Sequence, residues 1–174
     1  MKYCAFLRGI NVNGTAMKMV DVNQVFSYAG MSEVSSVLAT GNILFSSEQS
    51  PRELKVILEK AMSERFQYEA FLFIKNENEI QQIFNKNPFT KADDLHIYVF
   101  VGIENIATIL MEEFSSCSKT NNEKAEIVEG TFYWQVEKGN TLDSQFGKIL
   151  GKKALKNSVT SRNLNTFEKI LKKI

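Results

Sequence analysis

Hydrophobic positions along this chain fall into alternating strand-like and helix-like blocks. Residues 3–8 (YCAFLR) form an apolar run that predicts a short buried strand. A helical apolar period follows over residues 22–29, and Gly30 predicts a left-handed end to that helix. Two further strand patterns come next, the second being ILFSS at 43–47. The Thr40–Gly41–Asn42 turn between them predicts a hairpin, since glycine and asparagine tolerate positive φ.

The next helix has the clearest start signal in the chain. Ser50 is placed to accept from the amide three residues on, Pro51 suits the first helical position, and Glu53 completes a capping box. Apolar residues then recur at helical spacing as far as Met62. Residues 68–75 predict a fourth strand, so the elements follow the split β-α-β order of ferredoxin-like domains.

A similar order of elements recurs in the second half of the chain. The predicted elements are a strand at 95–101, a helical face from 103 to 114, paired strands at 124–128 and 132–136, and a helix from about Asp143 to Leu155. The last helix carries an apolar face that ends at Ile174, and Asn165 and Glu168 are placed as its cap and its N3 partner.

These patterns predict an α+β protein of two consecutive β-α-β-β-α subdomains, each ferredoxin-like, with additional C-terminal helices. Asn87–Pro88 ends a short helix, because proline disfavours the helical conformation in the residue before it. The boundary is therefore expected within residues 76–94. Residues 1–85 would form the first subdomain, and residues 86–174 the second, with the basic C-terminal helices.

Composition adds limits on the class of protein. With 174 residues, 44% of them hydrophobic, the chain can bury a core without disulfides or metal. Cys4 and Cys117 fit no Cys-x-x-Cys spacing, so we expect both to be reduced and unbonded. No apolar run approaches the ~20 residues that span a bilayer, and no signal-peptide core is visible, so we expect a soluble cytoplasmic protein with no membrane partner.

Charge is distributed unevenly along the chain. Residues 1–137 carry a net charge of −6 and residues 138–174 a net charge of +7, which together give the overall +1. A basic tail can mark an anionic partner such as nucleic acid or a phosphate ligand. The alternative, which we favour, is that the tail docks on the acidic remainder or forms a solvated face.

Most catalytic signatures are excluded by residue type and spacing. His96 is the single histidine, so no multi-histidine metal site is available, and we expect neither a metal nor a cofactor. Gly147, Gly151 and Lys152 resemble a phosphate-binding loop, but the glycine spacing is too short and no serine or threonine follows the lysine. The sequence predicts a structural histidine and a helix that contains two small residues.

The loop after the first strand is a candidate ligand site. Arg8, Gly9, Asn11, Asn13 and Gly14 bring polar and flexible residues to the end of a buried strand, just before a helix. Arginine offers a planar fork of donors for carboxylate or phosphate, and glycines let backbone amides approach an anion. The alternative is a structural loop whose arginine pairs with an acidic neighbour.

A second polar cluster lies near the end of the chain, in a predicted turn at Thr160–Ser161–Arg162–Asn163. Helix capping does not explain Arg162, because a positive charge is unfavourable in the first turn of a helix. We therefore expect an acidic partner or a bound anion there. Our sharpest hypothesis is that the 8–14 loop and the 160–163 turn lie together and form one anion-binding concavity.

Three segments resemble a bacterial family of uncharacterised proteins: FLRGINVNG at 6–14, GNILF at 41–45 and TSRNLNT at 160–166. The resemblance runs through the whole chain and implies a two-subdomain α+β fold, with no activity attached. Asn13 and Leu164 depart from the glycine and tryptophan that are usual in the family. The resemblance directs attention to Arg8, Gly9, Asn11, Gly14, Gly41, Asn42, Arg162 and Asn163.

Three functional hypotheses follow from the sequence. The first is a cytoplasmic protein that binds a small anion or a nucleotide through the 8–14 loop and the 160–163 turn. The second is a nucleic-acid-binding module, because ferredoxin-like sheets with exposed aromatic side chains stack bases. The same-face pairs Tyr98 with Phe100 and Phe71 with Phe73 are more typical of a core. The third is an enzyme of unrecognised type, for which the sequence offers no nucleophile–base pair.

Overall fold

The four strands of the first half form one antiparallel sheet. In the computed structural model of this protein, residues 1–10 and 17–174 are described, apart from the side chain of Lys153. The strands are β1 (Lys2–Arg8), β2 (Ser32–Val37), β3 (Asn42–Ser46) and β4 (Phe71–Asn76), and their order in the sheet is β2-β3-β1-β4. The helices are α1 (Met19–Tyr28) after β1, α2 (Pro51–Phe66) between β3 and β4, and α3 (Glu77–Asn85) after β4.

The second half repeats this arrangement. Its strands are β5 (Leu95–Gly102), β6 (Lys124–Val128), β7 (Thr131–Glu137) and β8 (Val159–Asn163). The sheet has the order β6-β7-β5-β8, in which β5 takes the place of β1, and all its described pairings are antiparallel. The helices are α4 (Ile106–Ser115), α5 (Gln145–Leu150), a 3-10 turn at Lys153–Leu155, and α6 (Leu164–Leu171).

Contacts within the chain divide it into two units. One consists of Met1–Gln81 with Glu168–Ile174, and the other of Gln82–Phe167. The last residues belong with the first unit, where Lys173 Nζ donates to the Ser36 carbonyl of β2 at 2.8 Å. The division predicted from sequence after residue 85 stays a prediction.

The core of the first unit lies between the sheet and the helices α1 and α2. Alternation along β1 turns every second side chain toward the helices. The buried contributors include Tyr3, Ala5, Leu7, Ile43, Phe45 and Leu72 from the strands, and Val22, Phe26, Leu54, Leu58 and Met62 from the helices. Each large apolar side chain buried in this way contributes roughly 1.5–3 kcal/mol of stabilisation.

The core of the second unit is built around Phe146 of α5. The Phe146 ring is fully buried and packs edge-on against Trp134 at 5.2 Å and Phe114 at 5.3 Å between ring centroids. Edge-to-face contacts of this kind add to the burial energy. The cluster packs the helices α4 and α5 against the sheet through side chains of β7.

The capping box that the sequence predicts at the start of α2 is confirmed. Ser50 Oγ accepts from the Glu53 amide at 3.4 Å, and the Glu53 carboxylate accepts from the Ser50 amide at 2.9 Å. Hydrogen bonds from Ser50 lower the pKa of the Glu53 carboxyl. The predicted fold class is also confirmed, with two antiparallel four-stranded sheets in split β-α-β order.

The predicted helix from Asp143 to Leu155 is wrong in its extent. Ser144 Oγ accepts from the Gly147 amide at 3.0 Å, so α5 begins at Gln145 and ends at Leu150. A separate 3-10 turn then covers Lys153–Leu155. The continuous helix fails because glycine, with no side chain to restrict it, weakens helical conformation at Gly151.

The predicted turn at residues 160–163 is also wrong, because these residues form most of β8. Thr160 pairs with Val101 and Arg162 with Val99, in antiparallel register with β5. The segment lacks the alternating apolar pattern of a strand. Its backbone is held instead by pairing with β5, which sequence pattern alone does not reveal.

Cys4 and Cys117 are both buried and free, in agreement with the expectation that they are unbonded. Burial raises the pKa of the Cys117 thiol, so the unreactive protonated form is favoured.

Among the helices in the described ranges, none has the length and apolar character that crossing a membrane demands.

Gly147 and Gly151 provide a matched test of this packing. A Cβ at Gly147 would lie 1.9 Å from the Thr141 carbonyl oxygen, whereas at Gly151 the nearest atom would be 3.4 Å away. Gly147→Ala should therefore lower the free energy of unfolding by about 2–3 kcal/mol. Gly151→Ala should change it by less than about 1 kcal/mol. Urea unfolding followed by tryptophan fluorescence measures both, and equal effects would contradict the packing explanation.

Candidate functional site

Arg8 is the last residue of β1 and pairs with Phe71 of β4. Alternation places it on the face of the first sheet opposite to Leu7, which packs in the helix-side core. The side chain is half-buried, and burial lowers the pKa of Arg8 from its ordinary value. The guanidinium remains charged, because even a lowered arginine pKa stays far above neutral pH.

Gly9 follows Arg8 with φ of +76°, a conformation that favours glycine. A Cβ at this position would lie 4.0 Å from the Tyr68 ring. The predicted site residues Asn11 and Gly14 lie outside the described residues.

Gly41 and Asn42 are held in the β2–β3 hairpin by structural contacts. The Gly41 carbonyl accepts from the Leu7 amide at 2.8 Å, and a Cβ at Gly41 would lie 3.0 Å from Ile10 Cδ1. Asn42 is fully buried, and its Nδ2 donates to the Val37 carbonyl at 2.9 Å and to Thr40 Oγ1 at 3.0 Å. These contacts explain both residues as parts of the turn.

Arg162 and Asn163 occupy neighbouring positions in β8, so alternation directs their side chains to opposite faces of the second sheet. Arg162 donates through Nη1 to Thr160 Oγ1 at 2.7 Å and to the Ser161 carbonyl at 2.8 Å. Its positive charge lies in a strand, which removes the conflict with a helix start that the sequence implied. The structure therefore does not bring these two predicted site residues together on one face.

Asn163 ends β8, and its side chain makes two directional hydrogen bonds. Its Oδ1 accepts from the Asn165 amide at 3.0 Å, in the first turn of α6. Its Nδ2 lies 3.0 Å from Nδ1 of His96 on β5. Asn163, and not Asn165 as the sequence predicted, supplies the side chain that bonds the start of α6.

A polar cavity of about 240 Å³ opens beside Asn163. It forms where β8 ends and α6 begins. The first residues of β5 extend past the end of β8, so they have no partner in β8 and line the cavity instead. The lining residues are Lys91, Ala92, Asp93, Leu95, Ile97, Lys138, Asn163, Leu164 and Asn165.

The charges around this cavity are predominantly positive. Lys91 and Lys138 contribute two cations and Asp93 one anion. Burial, and secondarily the charge of Lys138, lowers the pKa of His96, so the imidazole is neutral at neutral pH. Lys138 forms no ion pair with any residue that the structure describes, which leaves its charge open to a ligand.

The cavity offers binding chemistry more than catalytic chemistry. Ammonium groups and the positive end of α6 suit an anion, and the asparagine side chains add polar atoms that can orient it. Within residues 1–10 and 17–174, no cluster of three histidine, cysteine or carboxylate side chains is arranged to hold a metal ion. The sequence did not indicate Lys91 or Lys138, because isolated surface lysines carry no pattern.

Three of the four aromatic rings considered for base stacking are packed. Tyr98 stacks on Trp134 at 5.5 Å between ring centroids, and its hydroxyl lies 3.2 Å from Thr141 Oγ1. Phe100 and Phe73 are buried. Their interpretation as core residues therefore holds for these three rings.

Comparison with known proteins adds a family and a fold. Residues 1–133 match the family model described as Protein of unknown function (DUF1697). A solved structure described as the conserved bacterial protein SP0830 from Streptococcus pneumoniae is similar at 20% sequence identity, with a TM-score of 0.80 over 98% of this chain and 97% of that one. None of the curated proteins matches this chain. At this identity the structural likeness concerns the fold alone.

Asn42 allows a test of its structural role. Asn42→Ala should lower the free energy of unfolding by about 2–3 kcal/mol, because the Val37 carbonyl would lose a buried hydrogen-bond partner. Thr40→Ala is the matched control and should cost less than about 1 kcal/mol, since Asn42 keeps its bond to Val37. Urea unfolding measures both variants. A neutral Asn42→Ala would show that the turn does not depend on this side chain.

Proposed function

This chain belongs to the DUF1697 family of proteins of unknown function, and we propose that it binds a small anion, with a phosphate or carboxylate group, in the cavity beside Asn163. The observation that carries the proposal is Lys138, an exposed cation on the cavity wall without an ion-pair partner in the described part of the chain. An ammonium group in this position attracts an anion and donates charge-assisted hydrogen bonds to it.

The size of the cavity favours a small ligand. About 240 Å³ is below the ~300–1,000 Å³ of pockets that enclose drug-sized molecules. A phosphate or carboxylate group fits inside, whereas the remainder of a nucleotide would extend into solvent. Asp93 on the same wall adds a preference for ligands that also carry a hydrogen-bond donor or a positive group.

Arg8 supports a second location for anion binding, in the 8–14 loop. Its guanidinium stands at the end of β1 beside Gly9, whose positive φ is compatible with a backbone that approaches a ligand. Arg8 and Arg162 belong to different units, and one concavity shared by the 8–14 loop and residues 160–163 stays a hypothesis.

The other functional hypotheses have less support. Binding of nucleic acid by base stacking on the sheets would need exposed aromatic rings there, and the rings of Phe73 and Phe100 are buried. The hypothesis that the protein is an enzyme of unrecognised type stays a prediction. Its cytoplasmic location also stays a prediction.

Calorimetric titration with inorganic phosphate and with adenosine monophosphate at about pH 7 tests the proposal. Lys138→Gln removes the positive charge from the cavity wall and should weaken phosphate binding by about tenfold. Lys148→Gln is the matched control, because Lys148 is an exposed lysine of α5 outside the cavity. The affinity of the Lys148→Gln variant for phosphate should stay within about twofold of the wild-type affinity.

Arg8→Lys decides between the two locations in the same titration, because lysine keeps the charge and loses the bidentate fork. If binding falls in Arg8→Lys and not in Lys138→Gln, the ligand site is the 8–14 loop. If the wild type binds neither anion, the small-anion proposal is overturned.

A further inference from the structure

We propose that protonation of His96 converts Asn163 from a cap of α6 into an anion donor, so that acid activates the cavity. The inference rests on the proposed function for its ligand, and on the hydrogen bonds among His96, Asn163 and Asn165 for its mechanism. It adds a regulatory property to the binding site.

Hydrogen-bond directions fix the resting state of this network. The Asn165 amide can only donate, so the oxygen of Asn163 must face it, at 3.0 Å. The NH₂ group of Asn163 then faces His96 Nδ1, at 3.0 Å, and Nδ1 must accept. His96 is therefore neutral in this state, with its proton on Nε2.

Protonation makes this arrangement impossible. His96 Nδ1 would carry a proton directed at the NH₂ group of Asn163, and two donors cannot bond each other. Rotation of the Asn163 amide restores a bond, with Oδ1 now accepting from Nδ1–H. The Asn165 amide then loses its acceptor. This amide and the NH₂ group of Asn163 become two free donors at the cavity wall.

The charged surroundings of His96 set the pH range of the change. Lys138, the residue that follows β7, acts on the imidazole as a positive charge, and from β8 the contact is the uncharged Asn163. On β5 itself the Tyr98 ring lies 5.7 Å from the imidazole between centroids. Lys91 and Asp93 line the cavity beside Asn163 with opposite charges, whereas His96 reaches it only through Asn163.

The sign of the pH dependence follows from these surroundings. Burial and Lys138 lower the pKa of His96, so the folded protein binds this proton less readily than the unfolded chain. The stabilisation from the neutral network is complete above the ordinary histidine pKa and is lost as the pH falls through the lowered one. An anion in the cavity offsets the charge of Lys138 and should raise the pKa of His96.

Because the chain has a single histidine, nitrogen NMR of the protein follows this titration without ambiguity. In the ligand-free protein at about pH 8, Nδ1 of His96 should be unprotonated and Nε2 protonated. On acidification to about pH 4.5, the Asn165 amide and the Asn163 side-chain amide should shift with the same midpoint as His96. A predominant Nδ1–H form, or asparagine signals that do not follow His96, would overturn the switch.

Two variants separate the switch from a general effect of charge. His96→Asn keeps an acceptor near the position of Nδ1 and removes the titration, so the Asn165 amide should no longer shift with pH. Asn163→Asp supplies an oxygen acceptor to both neighbours and an opposite charge beside His96, so it should raise the His96 midpoint by about one pH unit or more. An unchanged midpoint in Asn163→Asp would contradict the contact, and the wild-type titration decides the question if this variant does not fold.

Sulfate, which remains doubly charged over this range, reports the coupling to binding. Sulfate should raise the His96 midpoint of the wild type by about one pH unit, which by linkage is about tenfold tighter binding to the protonated form. His96→Asn should lose that pH dependence. If the asparagine signals follow His96 and sulfate has no effect at any pH, the switch stands and the proposed anion site is wrong. If sulfate binds equally well at both pH extremes, the acid activation is wrong and the site stands.

Discussion

Hydrogen bonding on both sides of β1 and β5 is the constraint on which both units depend. A strand paired on each edge has its backbone fixed, so its side chains must alternate strictly between the two faces of the sheet. In β1 this alternation sends Leu7 into the helix-side core and Arg8 to the opposite face. In β8, held against β5, the same rule separates Arg162 from Asn163. The helices, the cores and the candidate site are placed by this periodicity.

The outer strands show how each sheet ends. At the outer edge of β4, the Leu72 amide donates to Glu59 at 3.0 Å and the Leu72 carbonyl accepts from Lys55 at 2.7 Å, so two side chains of α2 satisfy both backbone groups of Leu72. Covering an edge in this way also prevents pairing with other chains. In the second sheet, β8 ends early, at Asn163, and the cavity occupies the space beside the start of β5. The candidate site is therefore a consequence of where an edge strand stops.

Asn42 and Asn163 show that one residue type takes different roles in different surroundings. Asn42 is fully buried and donates to two groups of its own hairpin, so its hydrogen bonds stabilise a turn. Asn163 lies at a cavity, and one of its partners is the only histidine of the chain. An amide whose partner can change from acceptor to donor is sensitive to pH, whereas an amide between fixed acceptors is not.

The sequence by itself determined the class of the fold, the order of most elements and the start of α2, because hydrophobic periodicity and capping are local properties. It also singled out Arg8 and Asn163 as unusual polar residues near element ends. Only the tertiary structure decided that residues 160–163 form a strand, since pairing with β5 joins segments far apart in the chain. Only the tertiary structure identified the two lysines that line the cavity. Lys91 precedes β5 and Lys138 follows β7, and both line the cavity because pairing of β5 with β7 brings these ends of the strands together. No local pattern encodes such a pairing between distant strands.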